Sequence, residues 1–511
     1  MWPCILLLAA SIRLPCMRLY ITLIAIWSAC ASAHAQQPIE RSHFAFTLAQ
    51  ETWALPGQER MGLTSVGLYQ DLSPNFSAGL QAFTATTGRR GGFITLGASM
   101  RARQLVWGPI GVEGEFFAGG GSGAGGLELA GGGLMYRGAM GVSYTLTNGT
   151  RFSSGISRVS FPSGAIDSTH PYLQLAIPFE ALTRGSVRIG GEPSRTPTSW
   201  PNVRHFTHQL LPIIKHARVD ADVPTTAGQT QSDVGLVGIE WRTYMNRHWY
   251  IALSTEAAYQ GASAGYMDIM GGAGISSRVS PGLSVYADAM IGGGGGGAVN
   301  TASGKLVNTR VGVQFDLGYN WIADASASRM KAIDGRFAAS TLGVGLGYQF
   351  GAPPSRDPGG RLRHDVRLRL GSQTYQGIGN WRTTQGQDIG LLGAQIDYMV
   401  TPNWYLSGQA MAAATGGAGA YMTGQMGGGY RTHLSGRTFA EAEVLAGAAG
   451  GGGLSTGSGA LGQLNVNLGY RLTPSIDLLI TAGRAQSTSG SFKANVLGVS
   501  LGYRLGMFTA K

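Results

Sequence analysis

Apolar and polar residues alternate with period two along much of this chain. In the last segment Leu497, Val499, Leu501, Tyr503, Leu505 and Met507 are apolar, and Gly498, Ser500, Gly502, Arg504 and Gly506 lie between them. Leu464, Val466, Leu468, Tyr470 and Leu472 alternate in the same way with Gln463, Asn465, Asn467, Gly469 and Arg471. A third run sets Thr309, Val311, Val313, Phe315, Leu317, Tyr319 and Trp321 against Asn308, Arg310, Gly312, Gln314, Asp316, Gly318 and Asn320. Successive side chains of a strand point to opposite faces, so each run predicts a strand with one apolar and one polar face. The runs are about ten residues long, enough to cross a bilayer when tilted. Aromatic residues fall at strand ends, where a membrane barrel carries its girdle: Trp249, Tyr250, Trp321, Tyr348, Trp404, Tyr405 and Tyr503.

The strands come in three sets. Trp249 and Trp404, Tyr266 and Tyr421, and Asp288 and Glu443 are each separated by 155 residues. A looser copy precedes them, with Val66–Leu68, Phe76, Glu115 and the run Gly119–Gly121. Internal repetition of this length fixes the architecture before any motif does. The third copy reads as strands near 365–372, 388–400, 404–412, 420–432, 438–447, 460–472, 475–484 and 493–507. Tight turns at Thr401–Asn403, Ser435–Gly436 and Thr473–Pro474 alternate with longer polar stretches at 372–387, 415–419, 450–459 and 486–491. Short periplasmic turns and longer outer loops give this rhythm, and an even strand count returns each copy to the side it started from. The fold class expected is all-β: a transmembrane antiparallel β-barrel with three repeats of about eight strands each.

In strand count and pattern, each copy resembles small eight-stranded bacterial outer-membrane barrels of the OmpA/OmpX type. The copies end alike, at Leu175–Phe179, Leu346–Phe350 and Leu501–Leu505. The stretch Ser500, Gly502, Leu505, Met507 resembles the terminal strand signal read by barrel-assembly machinery. The chain departs from it by running on from Phe508 to Lys511. The resemblance implies an outer-membrane location, with membrane lipid and lipopolysaccharide as surroundings and the assembly machinery as a partner during biogenesis.

Three eight-stranded copies could close separately, with side chains filling each interior, or together as one barrel of about 24 strands with an aqueous lumen. Residues 181–203 and 352–363 read as linkers, the second containing Pro353, Pro354 and Pro358. Proline-rich spacers suit separate bodies, whereas a continuous barrel needs only tight turns there. The organisation expected is a leader at 1–35, repeats at 36–180, 204–351 and 364–511, and these two linkers between them. The polar faces point the same way. Copy three carries Arg367, Arg369, Arg431, Arg471 and Arg504 against Asp397, Glu441, Glu443 and Asp477. Copy two offers Glu240, Asp268, Asp288, Arg310 and Asp316. Near-balanced charge is what a narrow interior requires, because an unpaired buried charge is costly.

The first residues read as a secretory leader. Arg13 and Arg18 precede the apolar stretch Leu19–Trp27, and Ala33–His34–Ala35 supplies an A-x-A cleavage site. Met17 is an alternative start. The apolar run is too short for a membrane anchor. Lipid attachment at Cys30 is disfavoured by Trp27 three places before it. Cys4, Cys16 and Cys30 all lie in this segment, so the mature chain is expected to hold no disulfide, Cys-zinc site or thiol nucleophile. Charged residues make up 13% of the chain, against the usual ~25%, while Gly is 82 of 511. Low charge and high glycine suit strands and turns better than helices. The formal charge is +11, mostly from arginine. It suits anions such as lipopolysaccharide phosphate, an acidic glycan or an anionic solute. An exported chain without a basic run is not expected to bind nucleic acid.

Candidate chemistry is sparse, and no catalytic, cofactor or metal residue is expected. The glycine runs Gly119–Gly121, Gly292–Gly297 and Gly450–Gly453 sit where strand five meets an outer loop, and none opens a helix as a nucleotide site requires. Glycine there permits curvature or close backbone approach. His205, His208 and His216 match no standard metal spacing. Asp220, Asp222 and Asp233 lack the full calcium-loop pattern. There is no G-x-S-x-G. Glu441 with Glu443, and Glu113 with Glu115, face one side of a strand in pairs. Acid–base chemistry needs such a pair, and so does an interior ion-pair network. The expected function is a non-enzymatic outer-membrane protein with a structural, anchoring or surface-interaction role. The alternatives are a pore for a polymer or anionic solutes and, more remotely, a secreted soluble β-protein.

Overall fold

The period-two runs pair antiparallel with their sequence neighbours throughout, and in each copy the first strand also pairs with the eighth. The computed structural model describes residues 39–123, 126–185, 207–350, 362–378 and 388–509. The expected leader and most of both linkers lie outside the described residues.

The first barrel comprises β1 (Ile39–Ala54), β2 (Arg60–Ser73), β3 (Phe76–Thr87), β4 (Ile94–Trp107), β5 (Ile110–Ser122), β6 (Met135–Thr145), β7 (Arg151–Ser160) and β8 (Asp167–Arg184). The second comprises β9 (Thr207–Val219), β10 (Val234–Tyr244), β11 (Trp249–Gln260), β12 (Met267–Ser280), β13 (Leu283–Gly295), β14 (Lys305–Gly318), β15 (Trp321–Ala332) and β16 (Ala338–Phe350). The third comprises β17 (Leu362–Gln376), β18 (Ile389–Met399), β19 (Trp404–Thr415), β20 (Met422–Ser435), β21 (Thr438–Gly450), β22 (Ala460–Thr473), β23 (Ile476–Ser487) and β24 (Lys493–Thr509). The protein therefore has three closed eight-stranded antiparallel barrels, not one barrel of 24 strands. Eight strands enclose an interior just wide enough for side chains to fill. Among the described residues no helix is long and apolar enough to cross a membrane.

Two expected boundaries shift, for one reason. Strand β8 runs on to Arg184, inside the first expected linker, and β17 begins at Leu362, inside the second. These are the closing strands, and their ladders continue at the turn end, to Ile39↔Arg184 in the first barrel and Leu362↔Thr509 in the third. The residues after Leu505 are used as well. Gly506, Met507 and Phe508 pair with Arg184, Thr183 and Leu182, which joins the first and third barrels at the turn end.

At the loop end the barrels meet in a cycle. The third strand of each lies against the fifth strand of another: β3 on β13, β11 on β21, and β19 on β5. This gives one chain the arrangement of a three-fold ring of barrels. The glycine runs make the approach. A Cβ built on Gly295 would come within 2.7 Å of Gly92 N, one on Gly450 within 2.6 Å of Gly265 Cα, and one on Gly419 within 3.0 Å of Gly133 N. Backbone hydrogen bonds cross two of the contacts, from Gly91 N to Ala302 O (2.9 Å) and from Leu134 N to Ala414 O (3.2 Å). Only residues without side-chain bulk let backbones come this close.

Away from these contacts the outer wall is apolar. On β22 the outward residues Leu464, Val466, Leu468, Tyr470 and Leu472 are all exposed. They cover roughly 27 Å of strand, or about 21 Å of depth at a tilt near 40°, close to the ~25 Å apolar band of a membrane barrel.

Candidate functional site

The side chains facing into each barrel form two layers. Towards the loops the layer is apolar. Trp53, Phe83, Phe93, Phe117 and Phe161 cluster in the first barrel; Tyr266, Met330 and Phe337 in the second; Tyr375, Tyr421 and Phe492 in the third. Below it lies a layer of ion pairs.

In the third barrel that layer brings together all nine charged residues singled out above. Arg367 Nε donates to Asp397 at 2.7 Å, and its Nη1 lies 2.8 Å from Glu441. Arg369 donates to Asp397 at 2.8 Å and to Glu443. Arg431 donates to Glu441 at 2.7 Å. Towards the turn end, Arg504 lies 3.2 Å and Arg471 3.8 Å from Asp477. Ser407 and Gln395 donate to Asp397, and the Tyr405 hydroxyl donates to Glu443 at 2.9 Å. The carboxylates and Arg367 are fully buried, while Arg471 and Arg504 reach the turn-end mouth. A cavity of about 20 Å³ touches Arg369, Gln395, Glu443 and Asn465, room for about one water.

The second barrel builds the same layer from different positions. Arg310 donates to Asp288 and to Glu240, each at 2.6 Å. Arg242 pairs with Glu240 and, at 3.2 Å, with Asp324, and its guanidinium lies 4.2 Å from the Tyr286 ring centroid. Lys215 pairs with Glu256, and Tyr266 donates to Asp268 at 2.9 Å. Asp316 is not part of this interior. It follows the inward parity of β14 but sits past the last layer, exposed, where its carboxylate accepts the Gly318 N–H at 2.9 Å and shapes the turn.

In the first barrel Arg137 pairs with Glu51 and Glu115, and Arg101 pairs with Glu115. Glu113 lies 3.5 Å from Arg151. Sequence reasoning missed Glu51, Arg101, Arg137, Lys215, Arg242, Glu256 and Asp324. Inward parity was the available signal at Arg101, Arg137 and Asp324, whose neighbours on the strand are apolar or glycine, whereas Glu51 sits between Gln50 and Thr52 and gave none. The repeat keeps the strand-five acid (Glu115, Asp288, Glu443) but moves its base. Arg101 of β4 stands opposite Glu115, and Arg310 of β14 opposite Asp288. Asn465 takes the strand-six place in the third barrel, where the bases come from β17.

One constellation in the first barrel has the residue types of a hydrolase. Ser157 Oγ lies 2.8 Å from His170 Nε2, and a Glu51 oxygen lies 2.9 Å from the same nitrogen. Ser168 Oγ is 3.1 Å from Nδ1. A working relay places nucleophile and acid on opposite nitrogens of the base. Here Ser157 and Glu51 share one nitrogen, Ser168 on the other accepts the Ala54 N–H at 2.9 Å, and the whole group is buried beneath Trp53, where it ties strands together.

Other candidate residues do not converge. His205 lies outside the described residues. His208 bonds Thr243 at 3.0 Å, and His216, eight residues away on β9, faces Asp233 at 3.6 Å. Eight residues of strand span about 26 Å, too far for one ion. Asp220, in the loop after β9, is gripped by Arg329, whose hydrogen bonds hold its carboxyl below the ordinary range. Asp233 accepts the Val219 N–H at 3.0 Å. Of the aromatic set, Trp249 and Trp404 are exposed at the turn end. Trp321 packs edge-on against Tyr348, and Tyr348 against Tyr398 of the third barrel at 5.6 Å. Tyr503 accepts a hydrogen bond from Gln70 of the first barrel at 3.2 Å. Two of the seven therefore bridge barrels, while Tyr250 and Tyr405 are buried inside their barrels and donate to Asp288 and Glu443, so they are not part of an outer girdle.

No family model and no curated protein matches this chain. Among solved structures it is similar to the ferric enterobactin receptor of Pseudomonas aeruginosa, at 10% identity and a TM-score of 0.28, covering 92% of this chain and 82% of that one. It is also similar to the siderophore receptor PirA of the same organism, at 12% identity, a TM-score of 0.26 and 92% and 81% coverage. The siderophore receptor PirA of Acinetobacter baumannii gives 9% identity, a TM-score of 0.28 and the same coverage. Scores this low carry no inference about what this chain binds.

Proposed function

We propose that this protein is an integral outer-membrane protein of Gram-negative bacteria, without enzymatic activity, in which three filled barrels form a wall that presents outer loops. Each unit, on this reading, is an OmpA/OmpX-like barrel. The observation that carries the proposal is the combination of an apolar outer wall and a closed, ion-paired interior. Outward leucines, valines and aromatics ring each barrel, an arrangement a soluble protein avoids. Strands are the one element besides helices that can cross a bilayer, and only when closed. Inside, the charged layer and the apolar cap fill the space that a conducting barrel leaves to water. The role is then structural, anchoring or surface interaction, in contact with membrane lipid and lipopolysaccharide, after insertion by the barrel-assembly machinery. The loop glycines, serines, threonines and arginines suit a surface glycan as partner.

The purified full-length protein, reconstituted in planar bilayers, is expected to show no stable single-channel steps. Nanosiemens steps with anion preference would instead support the pore alternative and overturn the filled-barrel reading.

A further inference from the structure

The outward face of β15 differs from that of every strand beside it. From the turn end it reads Trp321, Ala323, Ala325, Ala327, Arg329 and Lys331. Both neighbours carry bulk at the same levels. Ala323 lies between Phe315 and Leu346, Ala325 between Val313 and Val344, and Ala327 between Val311 and Leu342. Three alanines between two ridges make a trough. A groove of about 850 Å³ spans this wall and extends beyond the trough, with Ala325, Ala327, Val311 and Leu342 in its lining together with Ile214 of β9 and Val285 of β13. The trough runs from Arg329 down to Ala323, ~20 Å of strand. At a tilt near 40° it descends ~15 Å, half of the ~30 Å hydrocarbon core.

Cations gather at the loop-side end of this trough. Arg329 stands opposite Ser340 of β16, and Ser340 stands opposite Arg218 of β9, so one row crosses three strands on the outer wall. Lys331 is one outward position above. Asp220 pairs with Arg329 and holds its guanidinium in place. Among the described residues, Arg218 and Lys331 have no acidic partner. Arg218 and Lys331 are thus left without a carboxylate beside the Arg329–Asp220 pair.

The other barrels lack the combination. Arg484 occupies the place of Arg329 in the third barrel, and Ala482 lies directly beneath it, but Ile480 and Leu478 fill the next two levels. In the first barrel Arg158 is taken up by Asp167, above Ile156 and Phe152. A strand-seven arginine at the outer rim thus recurs, and only the second barrel places an alanine trough below it.

We infer that the β14–β16 wall of the second barrel binds one molecule of a phosphorylated, acylated glycolipid of the outer leaflet. One acyl chain lies in the alanine trough, and Arg218, Arg329 and Lys331 hold the headgroup phosphate. This rests on the outer-membrane reading above. Arginine is suited to phosphate because its planar fork donates two parallel hydrogen bonds. The trough supplies the apolar fit that a phosphate site alone lacks, so binding needs both ends of the ligand.

Native mass spectrometry of the full-length protein in detergent, titrated with diphosphorylated lipid A, tests this. One tightly bound lipid A per chain is expected, and lipid A stripped of its phosphates or phosphatidylethanolamine should bind roughly ten- to a hundred-fold more weakly. Joint replacement of Arg218, Arg329 and Lys331 by alanine should weaken lipid A by a similar factor. Filling the trough, with Ala325→Leu and Ala327→Leu, should abolish the tight site while leaving every cation in place. Arg484→Ala with Lys493→Ala, on the third barrel, should change nothing. Unchanged lipid A affinity in the trough variant, or equal affinity for the phosphate-free lipid, overturns the inference. Heat-modifiable protein in the outer-membrane fraction separates the two proposals. Its absence for the unaltered protein sinks the membrane reading, and its presence with variant-insensitive lipid A binding sinks only this site.

Discussion

Replacing Arg367 with leucine is expected to destabilise the protein by about 3–5 kcal/mol. Arg367 is fully buried and bridges Asp397 and Glu441 across the third barrel. Without it, Asp397 keeps only Arg369 and Glu441 keeps mainly Arg431. Asp397, Glu441 and Glu443 then share only Arg369 and Arg431, since Arg471 and Arg504 lie beside Asp477 towards the turn end, in a space that admits about one water. Breaking a buried pair costs more than the pair contributes, because the orphaned charge stays desolvated. Paired replacement, with Asp397→Leu added, should recover much of the loss. Arg484→Ala, at an exposed position, should change stability by no more than about 0.5 kcal/mol. Urea unfolding followed by gel mobility of unheated samples gives the comparison. A loss below about 1 kcal/mol for Arg367→Leu would mean that water reaches the layer, as in an open barrel.

Replacing Gly450 with valine is expected to have the next largest effect, and a different one. A first side-chain carbon there would come within 2.6 Å of Gly265 Cα in the second barrel. Backbone on both sides cannot yield as a flexible side chain would, and overpacking of this kind costs about 1–3 kcal/mol. The strain falls between barrels, since each barrel closes by its own ladder. Gly450→Val should therefore leave the heat-modifiable fold intact but make the loop between β11 and β12 open to added protease. Gly408→Val, on the same barrel with nothing within 4 Å of its built Cβ, serves as the control. Equal protease resistance of the two variants would mean that the barrels do not touch at the loop end.

Strand positions were readable from the alternation alone, because period two survives wherever the outward face is apolar and the inward face polar. In the third copy the eight expected segments coincide with β17–β24 to within a few residues, and most of the differences are extensions at the strand ends. Those ends escaped detection for a physical reason. Near the loops the interior itself turns apolar, with Tyr375 and Phe492 facing inward, so the polar half of the pattern disappears while the ladder continues. Asp316 failed in the opposite sense: its parity is inward, but the barrel has already ended. The glycine runs were visible as sites of close approach, yet nothing local says what approaches. That depends on residues such as Gly92 and Gly265, far away in sequence. The ion-pair layer was half visible. The acids recur at one strand position, whereas their bases move between β4, β14 and β17, and only the register shows which base faces which acid. The alanines of β15 looked unremarkable in the chain, and became a trough only when Phe315, Val313 and Val311 were set beside them.

The central claim is that each copy closes on itself, and disulfide trapping across the closing seams tests it most directly. With Cys4, Cys16 and Cys30 replaced by serine, cysteine pairs can be placed at Leu48 and Leu175, at Ile214 and Val344, and at Leu370 and Leu501, each directly opposite in the register. Opposed positions bring Cβ atoms to roughly 4.5–5.5 Å, within reach of a disulfide after small adjustment. All three pairs should cross-link under mild oxidation in membranes, and a pair at Leu48 and Leu501 should not. Cross-linking of Leu48 to Leu501, with none of the three seams trapped, is the result of one continuous barrel and would contradict the account.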